Sequence, residues 1–186
     1  MSIQTRIYNC IVTAFLTIAV ISLPAAAENH ALSRMFAQLK SAEPEEAQKI
    51  ADEIELEWSK SGSPAMDLLL KRGEDALEVG DSRAAIEHLT ALTDHAPEFA
   101  QGWHMRAVAF AQAGMYGPAM ADLEHTLALE PRHFNAILSL GVVLEEVNKP
   151  HLAYEAYKQV LAIHPHQEDV TTALERLDGT IGGADL

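Results

Sequence analysis

Apolar residues recur at spacings of three and four along most of this chain, the period of one helix face. Leu32, Met35, Phe36 and Leu39 mark one such face, and Ala47, Ile50, Ala51, Ile54 and Trp58 mark the next. Ser41 to Pro44 reads as the turn between them. Pro44, Glu45 and Glu46 suit a first helical turn, because proline presets φ and carboxylates sit well at the positive end of the helix dipole. Ser61-Gly62-Ser63-Pro64 ends the second helix. Residues 28–64 are therefore expected as a helical hairpin. Its apolar columns do not match those that follow, so it is expected to be a degenerate or capping pair.

From Met66 to Pro165 the pattern becomes a repeat. Pro97, Pro131 and Pro165 are 34 residues apart. In step with them run a small column (Gly73, Ala107, Gly141), an alanine column (Ala85, Ala119, Ala153) and a large apolar column (Leu89, Leu123, Tyr157). This periodicity marks stacked units, here 66–99, 100–133 and 134–167. Each reads as two helices. In the first, helix A spans about Asp67–Val79 and helix B about Ser82–His95, with Gly80 between them able to take the left-handed conformation. Gly114 and Asn148 hold the same place in the next two units. Pro118 and Pro150 fall in the first turn of a helix B, where proline is tolerated. Val170, Ala173, Leu174 and Leu177 predict one more helix over 168–178, covering the last apolar face, and 179–186 reads as a flexible tail.

These columns resemble the tetratricopeptide repeat. The middle unit carries the likeness best, with Trp103, Ala107, Phe110, Gly114, Tyr116, Ala119, Leu123 and Pro131. The third follows with Leu140, Gly141, Leu144, Ala153, Tyr157 and Pro165. The first departs from the pattern, with Leu69 in the tryptophan column and Ala76 where an aromatic is usual. A leader before a short repeat array resembles exported tetratricopeptide proteins of Gram-negative, alphaproteobacterial type, as does the run Glu130 to Phe134. The resemblance implies an all-α fold: a right-handed superhelix of antiparallel helix pairs, with an N-terminal hairpin and a C-terminal capping helix. It also implies a concave face lined by the A helices. Inward positions would be Asp67, Leu70, Glu74 and Leu77, then Gln101, His104, Val108, Ala111 and Gln112, then Asn135, Leu138, Val142, Glu145 and Glu146. Family members that clamp a terminal carboxylate place lysine and asparagine there. Leu70, His104 and Leu138, with Glu74, Val108 and Val142, replace them, so that mode is not expected. The hairpin could instead cover Leu70, Leu138 and Val142. The small columns should let helices cross closely, Gly73 facing Ala85, Ala107 facing Ala119 and Gly141 facing Ala153; a larger side chain there costs about 1–3 kcal/mol. Trp103, Phe110 and Tyr157 are expected to fill gaps between helices.

Residues 1–27 read as a secretory signal peptide. Arg6 supplies the positive end, Ile11 to Leu23 the apolar run, Ala25-Ala26-Ala27 the small residues, and Glu28 the mature start. An uncleaved anchor over Ile7–Ala27 competes, but Asn9, Thr13, Thr17 and Pro24 weaken it. The expected location is periplasmic or secreted, with no membrane partner after cleavage. Cys10 lies in this leader, so a mature chain has no thiol chemistry. The net charge of -14 argues against nucleic acid, which needs lysine and arginine to displace counterions.

Nine histidines invite a metal. His88, His95, His125, His164 and His166 lack ligand spacing, so no metal or cofactor is expected. The carboxylates mostly fall on helical surfaces, and no nucleophile has an evident base. Arg132 and His133 could meet an acidic partner, or Arg132 could cap the preceding helix while His133 packs beside Phe134. The function expected is a non-catalytic adaptor or scaffold of the cell envelope, binding a protein or peptide on its concave face. A self-associating structural protein, hence a homo-oligomer, is the alternative; a metal-dependent hydrolase is a distant third.

Overall fold

The structure, a computed structural model, describes residues 23–184. Residues 1–22 of the predicted leader lie outside the described residues. Nine helices occur among the described residues: α1 Leu23–Ser41, α2 Pro44–Trp58, α3 Pro64–Glu78, α4 Ser82–His95, α5 Ala100–Gln112, α6 Tyr116–Leu129, α7 Phe134–Glu146, α8 Pro150–Ile163 and α9 Glu168–Ala184. The all-helical expectation holds, and α3–α8 form three consecutive A/B pairs.

Each helix boundary has a local cause. The B helices stop at His95, Leu129 and Ile163, two residues before Pro97, Pro131 and Pro165. The residue between is extended in every case: Ala96 at φ -134 and ψ 66, Glu130 at -132 and 95, His164 at -124 and 86. The proline ring forbids the α conformation to the residue before it. The turns from A to B use positive φ at Gly80 (76), Gly114 (73) and Asn148 (56), as the sequence predicts. Asp81 starts α4 by accepting from the Ala84 N–H at 3.0 Å.

The column partners differ from expectation. A Cβ on Gly73 would lie 2.5 Å from Leu89 Cγ, and one on Gly141 would run into the Tyr157 ring. The nearest neighbours of the small column are therefore the large residues Leu89 and Tyr157, not Ala85 and Ala153. Ala85, Ala107, Ala119 and Ala153 are all buried. Trp103 packs between neighbouring helices, as expected, through polar and ring contacts. Its indole N–H donates to the Pro97 carbonyl at 2.8 Å, and its ring lies between His125 (4.0 Å) and the Arg106 guanidinium (4.6 Å). The buried polar link in that region is Arg106, which holds Asp122 through two hydrogen bonds (2.7 and 2.9 Å) and donates to the Thr93 hydroxyl at 2.7 Å, tying α4, α5 and α6 together.

The N-terminal hairpin does not stack on the first unit. Phe36, Leu39, Ile50 and Ile54 share one core with Phe134, Ile137, Tyr157 and Val160 of the third unit and Val170 and Leu177 of α9. The cluster of the first unit, around Leu70, Leu89 and Leu92, contains no described hairpin residue. The chain thus folds back, and its first helices cover its last repeat. Helix α9 also runs to Ala184, so residues 179–184, expected as a flexible tail, are helical, with Ile181 packed against this core. No helix among the described residues is long and apolar enough to cross a membrane.

Gly141→Ala should destabilise the protein by about 1–3 kcal/mol in urea unfolding, because the Tyr157 ring must move. Gly117, which has open space around its Cβ position, should accept alanine within about 1 kcal/mol of wild type. Equal effects at both sites would refute the crossing geometry.

Candidate functional site

The A helices α3, α5 and α7 form one wall-lined groove of about 970 Å³. Its apolar lining includes Leu77, Met105, Val108, Ala111, Leu138 and Val142. Glu74, Glu78 and Glu146 add carboxylates from the A helices, and Glu55 adds one from the hairpin. Among the described residues, no lysine or arginine lines it.

Eleven of the inward positions named from the sequence come together here: Glu74, Leu77, Gln101, His104, Val108, Ala111, Gln112, Asn135, Leu138, Val142 and Glu146. Three do not. Asp67 accepts from the Ser61 hydroxyl and N–H at 2.5 and 2.9 Å, tying down the start of α3; those bonds hold its carboxyl below the usual range. Leu70 is 3% exposed, packed in the first-unit core near Met66 and Met105. Glu145 points to the other side of α7, where Arg176 of α9 holds it through 2.6 and 2.8 Å bonds and the Tyr157 hydroxyl donates at 2.7 Å. The Arg176 charge and hydrogen bonds lower its pKa; burial and the Glu145 bond push the Tyr157 phenol up.

Several groove residues also hold the fold together. Gln112 bridges two units, accepting from the Ser82 hydroxyl at 2.8 Å and donating to the Leu77 carbonyl at 3.4 Å. Asn135 donates to Glu55 at 2.8 Å, linking α7 to the hairpin. The Tyr116 hydroxyl donates to Glu146 at 3.1 Å. Of the alternative in which the hairpin covers the face, only part occurs. Leu138 is half-buried beside the hairpin core, Leu70 is covered by repeat helices, and Val142 stays 48% exposed.

At the third-unit end of the groove lies a buried ring cluster. His133 is fully buried and caps α7, its Nδ1 accepting from the Ala136 N–H at 3.2 Å. That acceptor role puts the proton on Nε2, which donates to Gln101 Oε1 at 3.0 Å. Its other contact is Trp58 of the hairpin, stacked at 4.0 Å and 12°. His104 lies 4.7 Å away and shares a 3.1 Å hydrogen bond with the Ser139 hydroxyl. Burial pushes the His104 ring down to about 4 and lowers His133 well below its ordinary value, the neighbouring His104 adding to the latter. Arg132 neither caps α6 nor stands free. It pairs with Glu130 at 3.3 Å and lies 4.2 Å over the Phe36 ring.

Ser139 and His104 meet as a nucleophile–base pair would, a proximity the sequence reading missed because the two lie on different A helices. Yet burial that pushes the ring down to about 4 makes it a weak base at neutral pH. Ser139 sits inside α7, where the helix itself uses the backbone N–H groups that form an oxyanion hole in such sites. No group of three His, Cys, Asp or Glu able to hold a metal occurs among the described residues.

The reading also missed Glu55, Glu78, Met105 and Tyr116. Glu78 follows Glu74 by one helical turn and was within reach of periodicity. Glu55 was not, because it arrives through the folded-back hairpin.

A TPR repeat-containing protein of Rhizobium etli is 35% identical to this chain over 153 residues, 80% of this chain and 75% of that protein. The chain belongs to the tetratricopeptide-repeat family. No family model matches it. The Sgt2 TPR domain of Aspergillus fumigatus superposes with a TM-score of 0.63 at 23% identity, over 66% of this chain and 83% of that one. The first TPR of Spaghetti (RPAP3), in a structure with the HSP90 peptide SRMEEVD, does so with a TM-score of 0.61 at 21% identity, over 63% and 93%. These likenesses bear out the fold.

The buried histidines predict an acid-sensitive fold. Unfolded, His104 gains a proton below about pH 6.5; folded, it does so only near 4. The unfolded chain binds more protons between those values, so stability is full above pH 6.5 and falls as pH drops toward 4. This group alone accounts for about 3 kcal/mol by pH 4. Urea unfolding at neutral and acid pH should show the loss, and His104→Gln should reduce it. An unchanged loss in that variant would place the acid sensitivity in other groups.

Proposed function

We propose that this protein is a non-catalytic adaptor or scaffold of the cell envelope that holds a protein or peptide segment in the groove between its A helices. The observation that carries this is Val142. It is 48% exposed on the groove wall, beside an apolar floor that the hairpin leaves uncovered. Burying such surface against a partner contributes about 25 cal/mol per Å². The RPAP3 domain bound to an HSP90 peptide, and a yeast Sti1 TPR domain in complex with an Hsp70 peptide, support peptide capture as a use of this fold. The Ser139–His104 contact, whose ring burial makes a weak base at neutral pH, supports a non-catalytic role. Envelope location rests on the leader sequence alone.

A photo-crosslinking residue at Val142, in the native envelope, should capture a discrete partner. The control is Leu152, 55% exposed on α8 and outside the groove lining. Equal capture at both positions would sink the groove as binding site. Cell fractionation with mass measurement of the mature N-terminus tests location; a chain retaining residues 1–27 in the cytoplasm refutes it.

A further inference from the structure

The groove's charge is more specific than its shape. Glu55, Glu74, Glu78 and Glu146 line it, and among the described residues no lysine or arginine accompanies them. Some carboxylates elsewhere on the molecule have cationic partners. Asp75 holds Lys71 at 2.6 Å, Asp122 holds Arg106, and Glu145 holds Arg176. Among the described residues, no ion pair uses any of the four groove carboxylates. Lys71 acts on Glu74 only through space, its ammonium being bound to Asp75. The hydrogen bonds that Glu55 and Glu146 accept come from the uncharged groups Asn135 and Tyr116. Glu74 is half-buried, and burial pushes its carboxyl up. Glu74 thus lies partly out of water and Glu55, Glu78 and Glu146 stand exposed around the apolar floor, none of them in an ion pair among the described residues. An incoming cation would relieve that arrangement, and an acidic segment would worsen it.

We propose that the groove takes a peptide segment of apolar residues flanked by lysine or arginine, the apolar side chains on Val108, Leu138 and Val142 and the cations on the glutamate rim. This rests on the groove being the binding site, as argued above, and adds the chemistry of its occupant. The SRMEEVD peptide named with the RPAP3 domain carries the opposite charge pattern.

The probe is a fluorescein-labelled peptide of leucine and valine flanked by lysines, read by anisotropy. Its counterpart carries glutamate in place of each lysine. The lysine peptide should bind at least about tenfold more tightly, and raising salt from about 50 to about 300 mM should weaken it several-fold. The combined Glu74→Gln, Glu78→Gln, Glu146→Gln variant and the separate Val142→Arg variant should each cost about tenfold, with circular dichroism confirming that both fold. Equal or tighter binding of the glutamate peptide overturns the charge assignment and leaves the groove reading intact. Lysine-peptide binding unchanged in both variants lies outside the groove and overturns the proposal. If neither peptide binds while Val142 still crosslinks a partner, only this proposal falls; if Val142 captures nothing more than Leu152, both fall.

Discussion

The close crossing of the two helices within each repeat underlies everything else in this molecule. At Gly141 the absence of a side chain lets the Tyr157 ring lie directly on the α7 backbone, and at Gly73 Leu89 does the same against α3. Pairs held this way present their A helices side by side, and the groove is the space those helices leave. The large residue matters as much as the small one. Tyr157 fills the crossing with its ring and uses its hydroxyl to hold Glu145, which in turn anchors Arg176 of the last helix. A packing contact at the centre of the third unit is thereby linked to the C-terminal cap.

The third unit is also where the chain closes on itself. A repeat at the end of a stack has one apolar face without a neighbour. Here that unit is covered by α9 and by the hairpin, which contributes Phe36, Leu39 and Ile54 to the same core. The junction is polar as well as apolar: Trp58 stacks on His133, Asn135 reaches Glu55, and His166 Nε2 bonds the Ala42 carbonyl at 3.0 Å. His133 is therefore a helix cap, a link to Gln101 and a stacking surface at once. Holding it buried and neutral is what makes the junction sensitive to protons.

The same closure shapes the groove. It brings Glu55 to the rim of a space otherwise built by A helices, and it leaves Val142 uncovered. Four glutamates on the rim and an apolar floor, with no lysine or arginine among the described lining residues, set acidic and apolar surface side by side in the groove. The proposed binding chemistry follows from that contrast rather than from the repeat columns.

The repeat was legible in the sequence because its determinants are local. Pre-proline sterics end each B helix, left-handed residues at Gly80, Gly114 and Asn148 turn the chain, and a 3.6-residue period selects the buried faces. These act within a few residues and read directly from spacing. Most inward A-helix positions followed from the resemblance to the tetratricopeptide repeat, which names the helix face that lines the concave side. Asp67, Leu70 and Glu145 were misplaced because a helix position names a direction, while neighbours decide whether that direction meets solvent, core or another helix. The hairpin's return to the third unit, the Trp58–His133 stack, the Ser139–His104 contact and the arrival of Glu55 at the groove join residues far apart in the chain. No local pattern encodes such contacts. They are settled only when the apolar faces left over after stacking find each other, which is a property of the assembled tertiary structure.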